Sequence, residues 1–81
     1  MIITSGFNVY PREVEIILNL HPAVQVSLAV GKPNLLRGEV VKALIVKRPD
    51  SEVDSKELVR HCRQYLSSYK VPRDIEFVNE L

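Results

Sequence analysis

Prolines and glycines divide this sequence into short segments at regular intervals, and this spacing constrains the fold more than any other feature. The turn signals are Ser5-Gly6, His21-Pro22, Lys32-Pro33-Asn34, Arg48-Pro49-Asp50 and Lys70-Val71-Pro72. Because both residue types disfavour the interiors of helices and strands, each element should end near one of these points. The sequence therefore predicts six short elements and no transmembrane helix, which needs about 18 apolar residues in a row.

Two segments carry apolar residues at helical spacing and are predicted to be amphipathic helices. The first begins at Pro11, which suits a first helical position, and should end near Leu20 because Pro22 disfavours a helical conformation at His21. The second covers about Ser55 to Leu66. Its apolar stripe consists of Leu58, Val59, Cys62, Tyr65 and Leu66, and its polar side carries Lys56, Arg60, Arg63 and Gln64.

The remaining segments are predicted to be strands. Ala23 to Val30 alternates, with Val24, Val26, Leu28 and Val30 expected on one strongly apolar face. Val40 to Val46 is apolar at nearly every position, which is typical of a central strand, and the segments 1–4 and 75–78 are short and β-prone. The order β-α-β-β-α-β predicts a small α+β domain, in which a mixed or antiparallel three-stranded sheet packs against two amphipathic helices.

Composition and charge exclude several classes of function. Eleven basic and ten acidic side chains leave a net charge of +1 with no run of like charges, so binding to a nucleic-acid backbone is not favoured. The predicted central strands also lack the aromatic residues that stack RNA bases. A single cysteine, Cys62, excludes an internal disulfide and fits a reducing cytoplasm.

No arrangement typical of an autonomous catalyst occurs in the chain. There is no phosphate-binding loop, no Ser/His/Asp spacing and no zinc-type Cys/His spacing. Cys62 lies on an apolar helix stripe, where a buried hydrophobe is the expected role. His21 stands at a predicted helix C-terminus, where its ring is expected to cap free carbonyl groups, although those carbonyls are also suited to holding a cation.

Two segments stand out as candidate binding sites. The stretch from Thr4 to Pro11 combines Gly6 with small polar and aromatic residues, and it is either a ligand-binding loop or a plain β-to-α turn. The second segment, Arg37-Gly38-Glu39, places a glycine between opposite charges. It is either part of an interface at the edge of the domain or a turn with a solvated ion pair.

These segments resemble a known family. The similarity is carried by residues 1–15 (MIITSGFNVYPREVE), 21–24 (HPAV), 30–33 (VGKP), 37–43 (RGEVVKA) and 69–73 (YKVPR) with 75–78 (IEFV). In this order and spacing they resemble the C-terminal domain of AMP-forming acyl-CoA synthetases, within the adenylate-forming superfamily. The SGFNVYP stretch is most similar to fatty-acid and related acid:CoA ligases.

The resemblance implies a two-step ligase. ATP, with magnesium, and a carboxylic acid give an acyl-adenylate and pyrophosphate, and the thiol of coenzyme A then displaces AMP to give the thioester. Residues 1–81 are expected to form a single mobile domain that rotates against a large N-terminal adenylation domain. Ser5, Gly6 and Phe7 are then expected to line the coenzyme A channel, and Arg37, Gly38 and Glu39 to lie at the interface between domains. Some relatives also imply a cation at the carbonyls of Asn19, His21 and Val24.

The resemblance also implies what the chain lacks. The family's catalytic lysine is expected beyond Leu81 and is not Lys70, so no catalytic residue and no metal ligand are assigned. The 81 residues are expected to be an excised or truncated domain that folds, binds no cofactor by itself and turns over no substrate. The acid substrate is left open. The alternative is a stand-alone small α+β binding or regulatory module without ligase activity.

Overall fold

The computed structural model describes all 81 residues and has an α+β fold built on one five-stranded sheet. The helices are α1 (Pro11–Asn19) and α2 (Ser55–Arg63), with a short 3-10 turn at Ser68–Lys70. The strands are β1 (Ile2–Thr4), β2 (Phe7–Val9), β3 (Val24–Asn34), β4 (Gly38–Lys47) and β5 (Asp74–Phe77). The α+β class is confirmed, but the sheet has five strands where three were expected, because all four predicted strands join it together with β2, which was not predicted.

Strand β4 organises the sheet. Along its whole length it pairs antiparallel with β3, from Gly38 opposite Asn34 to Lys47 opposite Val24. Its other edge pairs with two strands in succession, first with β1, which is antiparallel to it at Gly38, and then with β5, which is parallel to it at residues 42–45. Strand β2 extends the sheet through an antiparallel hairpin with β1. The sheet is therefore mixed, which is one of the two arrangements predicted.

The two helices cover the core through narrow apolar stripes. Val14 and Leu18 of α1 and Leu58 and Cys62 of α2 are fully buried. They belong to one cluster with alternate residues of the central strand β4, namely Val41, Ala43 and Ile45. None of the helices has the length and apolar character that a membrane crossing requires.

Strand β3 differs from the prediction in which of its faces is buried. A register shift between Val24 and Val26 inserts a bulge, and beyond it Ser27 and Ala29 turn inward. Val26 and Leu28 are then 39% and 40% exposed. A one-residue shift exchanges the two faces of a strand, so the apolar face predicted from strict alternation was wrong beyond Val24.

Two boundaries also differ from the prediction. Strand β3 continues through Lys32-Pro33-Asn34, which was expected to be a turn. Proline can be accommodated in β3 because this strand lies at an edge of the sheet, with one side unpaired. Helix α2 ends at Arg63 and not at Leu66.

Candidate functional site

The turn between β1 and β2 is the first candidate segment. Thr4 pairs with Phe7, so only Ser5 and Gly6 connect the two strands. Both residues have positive φ, 52° and 82°, which is the geometry of a type I′ hairpin turn. The segment is therefore neither a simple β-to-α turn nor an open loop, since a whole strand intervenes before α1 begins.

The second candidate segment lies directly beside this turn. Ser5 N–H donates a hydrogen bond of 2.8 Å to the carbonyl of Arg37, and the Arg37 Nη1 group donates to Ser5 Oγ at 3.4 Å. Gly38 pairs with Thr4 at the end of β1. Two segments about thirty residues apart thus form one continuous surface, which we call the turn surface: Ser5, Gly6, Phe7, Arg37, Gly38 and Glu39.

Gly6 presents open backbone on the turn surface. A Cβ atom built on Gly6 meets no atom of the domain within 4 Å, so packing inside the domain does not require glycine there. The positive φ does favour it, because side chains are strained in that conformation.

Phe7 gives the turn surface an apolar side. Its ring is 56% exposed and stacks on Tyr69, with ring centroids 4.8 Å apart. Tyr10 is 58% exposed, whereas Val9 is fully buried and belongs to the core. Tyr69 belongs to the residues that carry the resemblance but was assigned no part in the site.

Glu39 forms an internal contact. Its Oε1 accepts a hydrogen bond of 3.1 Å from the N–H of Ile3. Its carboxylate lies over Gly31, where a Cβ would collide with it. No ion pair joins Glu39 to Arg37, so the solvated pair considered for this segment does not form.

Lys70 is engaged in an ion pair. Its Nζ donates to Glu13 Oε1 at 2.8 Å, while Glu13 Oε2 accepts from the N–H of Tyr10 and so caps the start of α1. The bond from Lys70, with that from Tyr10, lowers the pKa of Glu13, and the same ion pair raises the pKa of Lys70. This pair fixes the Tyr69-Lys70 segment against α1, beside Phe7.

His21 does not have the capping role that was predicted for it. His21 Nδ1 accepts from the N–H of Ala23, and Nε2 donates to Glu57 at 2.7 Å, so the prediction that His21 caps free carbonyls was wrong. It is His61, on α2, that donates to the carbonyl of Ile17 at 2.6 Å. The cap therefore comes from across the helix interface, which local sequence spacing does not reveal.

Of the three carbonyl groups considered for a cation, that of His21 accepts the N–H of Val24. No group of three or more His, Cys, Asp or Glu side chains is placed to hold a metal ion. Cys62 is fully buried on the apolar stripe of α2, as predicted, and burial raises the pKa of its thiol to about 11.

A basic surface on α2 was missed as a candidate site. Lys56, Arg60 and Arg63 line a shallow cleft of about 460 Å³, and Arg63 and Arg73 line a neighbouring one of about 310 Å³. None of these four side chains forms an ion pair. The helical spacing of the first three residues was visible in the sequence, but the contribution of Arg73 depends on the fold.

Comparison with known proteins places the chain in a family. The sequence profile of the AMP-binding enzyme C-terminal domain matches residues 13–81. A long-chain-fatty-acid–CoA ligase from Yersinia pestis is 49% identical over all 81 residues, which correspond to 14% of that protein. The chain thus spans about one seventh of the length of this curated relative.

Solved structures agree with the sequence comparison. The crystal structure of an acyl-CoA synthetase from Brucella canis superposes with a TM-score of 0.92 at 40% identity, over 99% of this chain and 15% of that one. An amide bond synthetase from Marinactinospora thermotolerans gives a TM-score of 0.95 at 38% identity, over 99% and 16% of the two chains. With these likenesses and the profile match, the chain belongs to the family of AMP-binding enzyme C-terminal domains.

Proposed function

We propose that residues 1–81 are the mobile C-terminal domain of an ATP-dependent, AMP-forming acid:CoA ligase that acts in fatty-acid metabolism in the cytoplasm. The family match supports this, together with the Yersinia pestis ligase, to which the whole chain aligns. Because the chain spans 14% of that relative, a large N-terminal domain is the natural partner for its exposed surfaces. That domain is proposed to hold ATP, its magnesium and the acyl-adenylate.

The turn surface is proposed to form one wall of the coenzyme A channel once the domain has rotated. The observation that carries this proposal is the open backbone at Gly6, on a turn held in place by the Ser5–Arg37 hydrogen bond. A pantetheine arm is narrow and carries amide groups, so it needs close backbone approach and nearby hydrogen-bonding groups. The exposed ring of Phe7, supported by Tyr69, supplies an apolar side to the same passage.

The basic surface on α2 is proposed to bind the phosphate groups of coenzyme A. Arginine and lysine are suited to phosphate, and four of them without carboxylate partners lie around adjoining clefts. The domain itself is proposed to supply no catalytic residue in these 81 positions. Lys70 follows Tyr69, which stacks on Phe7 of the turn surface, but the ammonium group of Lys70 is held by Glu13.

A domain exchange tests the proposal. The segment of the Yersinia pestis ligase that aligns with this chain is deleted, and in a second protein it is replaced by residues 1–81. The deletion is expected to abolish thioester formation and the replacement to restore it, while the 81-residue chain alone releases no pyrophosphate. A stand-alone binding module predicts a folded chimera without restored activity, and that result contradicts the proposal.

A further inference from the structure

The tip of the β3–β4 hairpin carries the most exposed apolar side chains of the molecule. Leu35 and Leu36 are 105% and 95% exposed, whereas the next most exposed large hydrophobic residue, Met1, is 63% exposed. Neither leucine packs on the domain. Two adjacent side chains that make no internal contact contribute nothing to folding, and exposing them carries a solubility cost.

The turn itself does not require leucine. Asn34 Oδ1 accepts hydrogen bonds of 3.0 Å from the N–H groups of both Leu36 and Arg37, and Gly38 supplies the positive φ of 82° at which the chain enters β4. Asn34 and Gly38 thus satisfy the turn chemistry, which leaves the side chains at positions 35 and 36 free. The Asn34 bonds also hold the backbone of the tip in one conformation, so little conformational entropy is lost when the tip binds a partner.

We infer that Leu35 and Leu36 dock into an apolar pocket on the large N-terminal domain of the same polypeptide, in the rotated state that presents Gly6 to coenzyme A. This inference rests on the proposed function. The tip is continuous with the turn surface, because the carbonyl of Arg37 accepts the N–H of Ser5. When the leucines are seated, the position of the Ser5–Gly6 turn is set with them.

The size of the contact favours a partner on the same polypeptide. A stable interface between separate proteins uses about 20 to 30 residues a side, far more than this tip offers to a second copy. A membrane surface is not the favoured partner, because stable anchoring needs a second signal, such as a cluster of basic residues, besides the apolar group. Of the two basic residues near the tip, Lys32 and Arg37, Lys32 is already bound to Asp74 at 2.7 Å. A two-residue contact is effective when a covalent link raises the local concentration of the partner, and most of such a ligase lies outside this domain.

The test uses the chimeric ligase with Leu35→Ser and Leu36→Ser combined. Thioester formation from preformed acyl-adenylate is expected to slow by on the order of tenfold, because the docked state loses two buried leucines. Adenylation and the melting temperature of the 81-residue chain should be unchanged. The matched control is Leu20→Ser, since Leu20 is also exposed but lies at the C-terminal end of α1 and not at the hairpin tip. Equal rates for the double variant and the control overturn the inference.

A second readout does not depend on turnover. Cys62 is fully buried, so Leu36→Cys introduces the one exposed thiol of this chain. Alkylation of that thiol, in a large domain without reactive cysteines, is expected to slow when a stable adenylate analogue and coenzyme A are added together. Unchanged alkylation contradicts docking, as does leucine-dependent binding of the 81-residue chain to phosphatidylglycerol vesicles. An unmodified chimera that forms no thioester rejects the proposed function itself.

Discussion

The N–H of Ser5 donates a hydrogen bond of 2.8 Å to the carbonyl of Arg37, and this bond joins the β1–β2 turn to the residue that precedes β4. Around it, Thr4 pairs with Gly38 and Ile3 N–H donates to Glu39. The three-residue strand β1 is thereby held both by backbone pairing with β4 and by the side chain of Glu39. The position of the turn surface therefore depends on a few contacts that can be changed one at a time.

The hairpin turn predicts opposite effects at its two residues. In a type I′ turn both positions have positive φ, and Asn-Gly is the preferred pair. Ser5→Asn should therefore raise the free energy of unfolding of the 81-residue chain by about 0.5 kcal/mol, and Gly6→Ala should lower it by about 1 kcal/mol. Urea unfolding of the three proteins checks both values. Destabilisation by Ser5→Asn contradicts the turn geometry.

The contact between Glu39 and Gly31 predicts a coupling between these positions. Gly31→Ala introduces a Cβ where the Glu39 carboxylate lies, so Glu39 must move and release the N–H of Ile3. Glu39→Ala loses that bond directly, at a cost of about 1 kcal/mol. Once Glu39 is alanine, Gly31→Ala meets no obstacle. A double-mutant cycle should therefore give a coupling energy of about 1 kcal/mol, and strict additivity contradicts the contact.

Glu39→Gln separates the internal role of this residue from its proposed interface role. Glutamine keeps an oxygen that accepts the Ile3 N–H, so the melting temperature of the isolated chain should change little. If the negative charge also helps to hold one rotated state, the ratio of the two half-reaction rates should change. A clear loss of domain stability with an unaltered ratio shows that Glu39 acts only within the domain.

Burial of Cys62 predicts a loss of stability at high pH. The folded-state pKa of the thiol is about 11 and its ordinary value is 9.0, so between these values the unfolded chain binds fewer protons than the folded one. Stability from this group is thus complete below about pH 9 and falls as the pH rises towards 11. Urea unfolding should show a steeper decline for the wild type than for Cys62→Ala. Parallel declines contradict the shift.

The sequence predicted both helices, the two long strands and the α+β class, because these depend on local periodicity and on proline. It did not predict β2, whose three residues Phe7, Asn8 and Val9 are too few to show alternation. The reversed face of β3 could not be predicted either, since the bulge near Val24 arises from pairing with β4. Local patterns carry no information about such long-range pairing.

The candidate site was likewise predictable only where it depends on local sequence. The sequence singled out Ser5-Gly6-Phe7 and Arg37-Gly38-Glu39 as separate segments, and only the pairing of β1 with β4 brings them together. The support that Tyr69 gives to Phe7 and the clustering of Arg73 with Arg63 likewise arise from distant parts of the chain.

Gly6 is proposed to admit the thiol arm of coenzyme A in the second half-reaction only. Gly6→Leu fills the passage but also strains the turn, whereas Gly6→Asn adds a side chain that tolerates positive φ. The decisive measurement is the rate of each half-reaction in the chimeric ligase carrying either variant. Thioester formation is expected to slow by at least about tenfold with either variant, whereas adenylation should be unchanged. Equal losses in the two half-reactions, or an unaffected Gly6→Asn enzyme, contradict this role of Gly6.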